Sequence, residues 1–395
     1  MKRVLLAQLL LFACSATAQR VPWTLETTRI ATNQAGDPAF MSVPGAELII
    51  GTDTAALGVY VWRPGEAPTV VPTGIVTSAD ARGSVLVVAS LATNSLRVFQ
   101  ASDAGLTEFT PPQNFNVASP RHVALARRLD GGFEVVVDTS SSVLEQYAMR
   151  MANGGVDFTL LRTINVAEAP SGIAVDDRSG RLYVAQPSLG IMTVDSSGTR
   201  DFLVSIDAGQ LGAAVGGIEL FLAASGTALV LSAAPNEGEL KVHGLDGRFL
   251  ATIQFANPDG GPATLRPNSF DVFEQPTPTF PRGVLVVQDE LMANYKLVDL
   301  AAVDAVFPLP APFLPGTGTP GTLDGGSGTD AGVTDGGSST AIGGGGGVSD
   351  TRPAPSVVPM APSCGCTGGP FALLPALILL WCIRRPRRGF DLTRP

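Results

Sequence analysis

One phrase recurs six times along this chain: a turn glycine, four or five apolar β-prone residues, a small or polar residue, a short loop and a second alternating run. Its clearest copy is Gly180–Arg181–Leu182–Tyr183–Val184–Ala185–Gln186 followed by Gly190–Ile191–Met192–Thr193–Val194. Each copy reads as two antiparallel strands, because β-branched and aromatic residues bounded by turn formers favour a pleated, half-buried surface. The copies begin at Gly45, Gly83, Gly132, Gly180, Gly226 and Gly283, at spacings of 38, 49, 48, 46 and 57 residues. A four-stranded propeller blade repeats at roughly 40 to 50 residues. The expected fold is therefore all-β, a six-bladed β-propeller. A propeller avoids an open edge by pairing a strand from one terminus with the blade made by the other. Trp23 to Thr32 reads as a strand, of which Trp23 to Ile30 is set to close the ring against Tyr295 to Val298.

The ends of the chain lie outside the repeat. Residues 1–18 carry Lys2 and Arg3, an apolar run from Val4 to Ala13 and the small residues Ala16–Thr17–Ala18, the pattern of a secretory signal peptide with Gln19 as the first mature residue. Cys14 after Leu11–Phe12–Ala13 leaves a lipoprotein alternative open. Residues 19–310 form the propeller domain. Residues 311–363, dominated by Gly, Ser, Thr, Pro and Asp, bury too little apolar area to order themselves and read as a disordered linker. Residues 364–395 hold Cys364–Gly365–Cys366, an apolar run from Pro370 to Ile383 and Arg384–Arg385–Pro386–Arg387–Arg388. Fourteen apolar residues fall short of the ~20 that span a bilayer comfortably, so either a short anchor or a sorting signal fits. That order of elements resembles the C-terminal sorting tail of myxobacterial surface proteins. The resemblance implies an exported protein at the cell surface or outer envelope, or released after the tail is processed.

Composition excludes several functions. The formal charge is −9 with only three lysines, Lys2, Lys241 and Lys296, so no basic nucleic-acid surface is expected. All four cysteines lie in the two end segments, which leaves the domain without a disulfide. The only histidines are His122 and His243, and His243 reads as structural or exposed in an outer strand. There is no G-x-S-x-G elbow, no histidine metal cluster and no phosphate-cradling glycine loop beside a helix.

The fourth copy, with Gly172, Ala174, Asp176, Asp177, Gly180, Leu182, Tyr183 and Ala185 in register, resembles the corresponding blade of the bacterial β-propeller phytases, the 3-phytase family. The likeness extends to Asp37–Pro38–Ala39, Glu145–Gln146–Tyr147, Arg162–Thr163, Gln288–Asp289 and Asn294–Tyr295–Lys296–Leu297–Val298. It implies a hydrolase that removes phosphate from inositol hexakisphosphate, with several calcium ions held by carboxylates at one end of the channel. Such ions neutralise the substrate and lower the pKa of an attacking water, and each takes six to eight oxygen ligands. By the same resemblance, Asp37 and Asp289 are the surviving metal ligands, and Arg82 and Asn294 the surviving phosphate-binding residues. No catalytic residue is assigned.

The sequence departs from the family at many of the acidic positions. Ser171, Gln186–Pro187, Ala214–Val215–Gly216–Gly217, Ala233–Ala234–Pro235–Asn236 and Pro267–Asn268–Ser269 stand where the family carries its site loops. The survivors also have ordinary readings: Asp37 as a turn residue, Asp289 as an acceptor for loop amides, Asn294 in the left-handed region, Asp176 and Asp177 as turn formers. Two readings result. One is calcium-dependent phosphomonoester hydrolysis, with inositol phosphate or another phosphorylated small molecule as partner. The other is a non-catalytic surface propeller that binds a ligand or an extracellular protein across its loop face. A lactonase-type hydrolase is a more remote third, since its converging Glu, Asn and Asp are not found. The propeller is expected to be monomeric and to meet a membrane only through the C-terminal tail.

Overall fold

In the computed structural model the described residues are 20–109, 115–128, 131–139, 142–152, 155–208, 210–223 and 228–311. The signal, nearly all of the linker and the C-terminal tail expected from the sequence fall outside them.

Among these residues the strands form six sheets, each running outward in chain order from an inner strand. The inner strands are Ala35–Val43, Val76–Arg82, Val123–Arg127, Gly172–Val175, Ile218–Leu222 and Phe270–Phe273, for blades 1 to 6 in turn. Each meets the next, and the sixth meets the first, so the ring is closed around an axial channel. The second strands account for the apolar half of the repeated phrase. Val85–Ser90 and Leu182–Gln186 are buried at every residue, because neighbouring blades cover both faces of the sheet and a continuous apolar run replaces alternation. The turn glycines have the expected reason to be glycine: Gly45, Gly83, Gly180 and Gly283 sit at φ 85, 65, 64 and 99, where a Cβ is strained. In blade 3 that role falls to Gly131, at φ 82, beside the Gly132 of the repeat.

The core is divided into wedges. Six clusters of buried apolar residues lie among the described residues, one at each interface between adjacent blades. Blade-to-blade burial, at about 25 cal/mol per Å² of apolar surface removed from water, therefore does the work of a single central core.

Closure occurs where the sequence places it, with a difference in detail. Leu25–Glu26 forms the outer strand of blade 6, antiparallel to Asn294–Asp299, with Leu25 opposite Leu297 and Glu26 opposite Lys296. The expected single strand from Trp23 to Thr32 is instead broken. Arg20–Pro22 adds in parallel to the outer edge of blade 5, the chain crosses to blade 6, and Ile30 then donates its N–H to the Ala293 carbonyl. One terminal segment thus caps two blades. The chain leaves blade 6 in a short helix, Leu300–Val306, whose Ala301 N–H is capped by Asp299 and whose Leu300 and Val303 fill the wedge between blades 5 and 6.

Candidate functional site

The channel has two mouths. The inner strands begin at one and end at the other, so a residue's position along its strand decides which it can serve.

The mouth at the strand starts is narrow, a cavity of only about 20 Å³ lined by Asp37, Ser78, His122, Gly172, Gly217 and Ser269 among others. Asp37 stands here at the beginning of the first inner strand, its carbonyl accepting from Thr52 Oγ1 at 3.0 Å. His122 lines the same opening and is anchored by the fully buried Asp138. Asp138 Oδ1 accepts the backbone N–H of His122 at 2.7 Å, and its Oδ2 lies 3.3 Å from the ring Nδ1. Burial works to lower the His122 pKa, but the Asp138 hydrogen bond and the negative charges of Asp37 and Asp138 outweigh it and hold the ring above its usual value. The sequence contained no motif that would have singled out His122, because its partner is 16 residues away on the adjacent strand.

Loops on this face carry further carboxylates, and they are spent on backbone amides. Asp53 accepts from Thr32 Oγ1 and from the N–H groups of Ala55, Ala56 and Leu57. Glu168 accepts from the backbone and hydroxyl of Ser188, both at 2.6 Å, and Glu237 from the Ala213 N–H at 3.0 Å. Asp289 closes its hairpin by accepting from Leu291 and Met292 N–H at 3.1 and 3.4 Å, with Lys296 Nζ 3.7 Å away. Burial raises the Asp289 pKa, and Lys296 opposes the shift. Asn294 is paired opposite Asp289 in the ladder and donates to the Thr27 carbonyl at 3.3 Å. The left-handed residue of that hairpin is its neighbour Ala293, at φ 51. Ser171, at a position where the resemblance calls for an acid, donates to the Val215 and Gly216 carbonyls at 2.7 and 2.9 Å and staples two blades together.

Calcium needs several unspent oxygens converging on one point. Among the described residues, no group of three or more His, Cys, Asp or Glu is arranged to hold a metal ion. With the loop acids already accepting backbone hydrogen bonds, the residues present do not fit a multi-calcium centre.

Arg82, grouped with Asp37 on the sequence argument, ends its inner strand and therefore lies at the opposite mouth. That mouth is wider, about 300 Å³, and all six blades contribute to it, with Phe40, Arg82, Arg127, Asp177, Glu219 and Asp271 in its wall. Arg82 Nη1 contacts Asp80 Oδ1 at 2.9 Å and its Nε lies 3.6 Å from Asp177 Oδ1. Three of the acids also stitch blades together. Asp80 Oδ2 accepts the Leu125 N–H and Asp271 Oδ2 the Phe40 N–H, each at 2.6 Å, while Glu274 accepts the Leu222 N–H at 3.0 Å. Crowding has a chemical effect: burial and then the Asp80 charge push Asp271 up to about 7, and burial with the Asp80 and Asp271 charges pushes Glu219 well above the usual carboxylate range. These carboxylates come from strands far apart in sequence, and the repeat pattern carries no sign of them.

The family model described as Phytase matches residues 121–302, which run from the start of blade 3 through blade 6. Over those blades the chain is phytase-like. A search of curated proteins finds no match. Solved structures similar to it include the calcium-binding protein regucalcin from Agrobacterium tumefaciens, at 14% identity and a TM-score of 0.48, covering 71% of this chain and 95% of that one. BBS1N in complex with ARL6DN is similar at 14% identity and a TM-score of 0.42, covering 71% of this chain and 97% of that one. A chain of the nidogen/laminin complex is similar at 13% identity and a TM-score of 0.41, covering 57% and 80%.

Proposed function

We propose that this chain is an exported, phytase-like propeller that works as a ligand-binding module and not as a calcium-dependent phosphatase. The observation that carries the reading is the use made of the acids at the strand-start mouth: Asp53, Asp138, Glu168, Glu237 and Asp289 accept backbone N–H groups. A carboxylate that satisfies loop amides supports the fold, and redirecting it to a metal would leave those donors unpaired at about 1–3 kcal/mol each. Asp37 and Glu219 remain at that mouth, and two carboxylates cannot cage several calcium ions of six to eight oxygen ligands each. The wider mouth, where charged side chains face a cavity, is the better place for a ligand.

The test is calcium titration calorimetry on the mature chain, with a parallel assay of phosphate release from inositol hexakisphosphate. The reading expects neither a calcium heat nor calcium-dependent phosphate release from a cooperatively melting protein. Tight calcium binding with phosphate released only in its presence overturns it, and restores the hydrolase reading with Asp37 and Asp289 as ligands. Export through residues 1–18 and retention at the envelope through 364–395 belong to the same proposal. They require protein recovered from the envelope or medium to begin at Gln19; a cytoplasmic chain retaining Met1 removes that part.

A further inference from the structure

The wide mouth continues into a second cavity. A groove of about 590 Å³ runs between blades 3 and 4 and shares Arg127 and Asp177 with the mouth. Its wall reaches Leu161 and Ser196 near the rim. The two parts carry opposite charge. On the axis, Asp80, Asp177, Glu219, Asp271 and Glu274 face Arg82 and Arg127. In the groove Arg127, Arg128, Arg162 and Arg178 outnumber Glu134, Asp176 and Asp177.

Two side chains have capacity to spare. Glu219 lines both the narrow and the wide end of the channel, and among the described residues its carboxylate accepts no hydrogen bond. Arg127 is exposed, and its guanidinium has no carboxylate or carbonyl partner among the described residues, although its backbone N–H donates to Asp177. The neighbouring Arg162, by contrast, is held by Gln146 and by the Asp195 and Ser196 carbonyls.

We propose that mouth and groove together bind an extended peptide segment, with a basic side chain inserted on the axis against Glu219 and acidic side chains lying along the groove over Arg127. The inference rests on the binding reading above and names its ligand class. An extended chain advances about 3.3 Å per residue, so a groove leading from axis to rim accommodates several residues, whereas a single small cation on the axis would leave the Arg127 guanidinium unused. Complementary charge at separate points also fixes the direction in which the segment lies. Burial favours the protonated forms of Glu219 and Asp271, and an entering cation favours their charged forms; Asp80, Asp177, Glu274, Arg82 and Arg127 from the wide end and Asp37 and His122 from the narrow end are the other charged groups around that point. Binding should therefore tighten as pH rises from 6 to 8.

The experiment is fluorescence anisotropy on the mature chain with four labelled octapeptides: one with a lysine followed by spaced aspartates, one with norleucine for the lysine, one with asparagines for the aspartates, and one with both replacements. The first should bind about tenfold more tightly than the second or third, the scale of one charge-assisted contact, and the preference should weaken with salt. Glu219→Gln should reduce the first peptide to the affinity of the norleucine peptide, and Arg127→Gln to that of the asparagine peptide. Both are near-isosteric, and thermal melts confirm that each folds. Equal binding of all four peptides, no binding by any, preferences unchanged in both variants, or displacement of the peptide by inositol hexakisphosphate as its equal would each overturn the proposal. None of these outcomes reads the calcium titration, so the two proposals fail separately.

Discussion

His243 is fully buried, yet among the described residues neither ring nitrogen has a hydrogen-bond partner. It lies opposite Val230, in the wedge between blades 4 and 5, with its ring 5.6 Å from that of Phe249. The sequence suggested a structural or exposed role; the structure makes it structural. Burial, reinforced by Lys241, lowers its pKa from 6.5 to about 4. The sign follows directly. Above pH 6.5 the ring is neutral folded or unfolded, whereas between 6.5 and 4 only the unfolded chain gains the proton, so stability is lost as pH falls through that window. His243→Leu removes this term, and thermal melts should show the variant losing less stability than the parent between pH 7 and 4. Parallel losses would show that His243 does not contribute. Asp289 gives the contrasting case, since its ordinary reading as a loop-amide acceptor matches the bonds it makes to Leu291 and Met292.

Between elements, blade 1 meets blade 6 through a buried aromatic joint. Tyr295 donates from its hydroxyl to the Gly36 carbonyl at 3.0 Å and accepts the Thr52 N–H at 3.1 Å, and its ring meets Trp62 edge-on at 5.7 Å. Gly51 is what allows this approach: a Cβ there would fall inside contact distance of the Tyr295 ring and 2.7 Å from Trp62 Cζ3. Gly51→Ala should destabilise by about 1–3 kcal/mol, the usual cost of overpacking a filled core, measured by denaturant melts. A change within about 0.5 kcal/mol would mean that the joint relaxes freely. In the sequence Gly51–Thr52–Asp53 simply follows the apolar run Leu48–Ile49–Ile50, and nothing in that run indicates an aromatic ring arriving from more than 240 residues away. The short helix Leu300–Val306 was missed for a related reason: seven mostly apolar residues do not distinguish a helix turn from a strand by period alone.

For the whole molecule, the decisive contact is the N-terminal segment across blades 5 and 6. Val21 and Ile30 are fully buried there, and each such side chain contributes about 1.5–3 kcal/mol by burial. Removing residues 19–30 should therefore cost roughly 3–6 kcal/mol from these two side chains alone, besides the paired backbone. The expected result is a large fall in melting temperature with exposed strand edges and aggregation; an unchanged melting temperature would show that the ring closes without its clasp. The repeat, legible as a period and as alternation, determined by itself that the chain forms six blades and that hairpins turn at Gly45, Gly83, Gly180 and Gly283, because those properties depend on residues close together in sequence; the turn expected at Gly226 lies outside the described residues. The charge of each channel mouth was decided only by tertiary structure. Asp37 and Arg82 begin and end their strands and so part to opposite mouths. Asp80, Glu219 and Asp271, from blades 2, 5 and 6, become neighbours only when the ring has closed, and it is their burial in the channel, and then their mutual repulsion, that gives the site its chemistry.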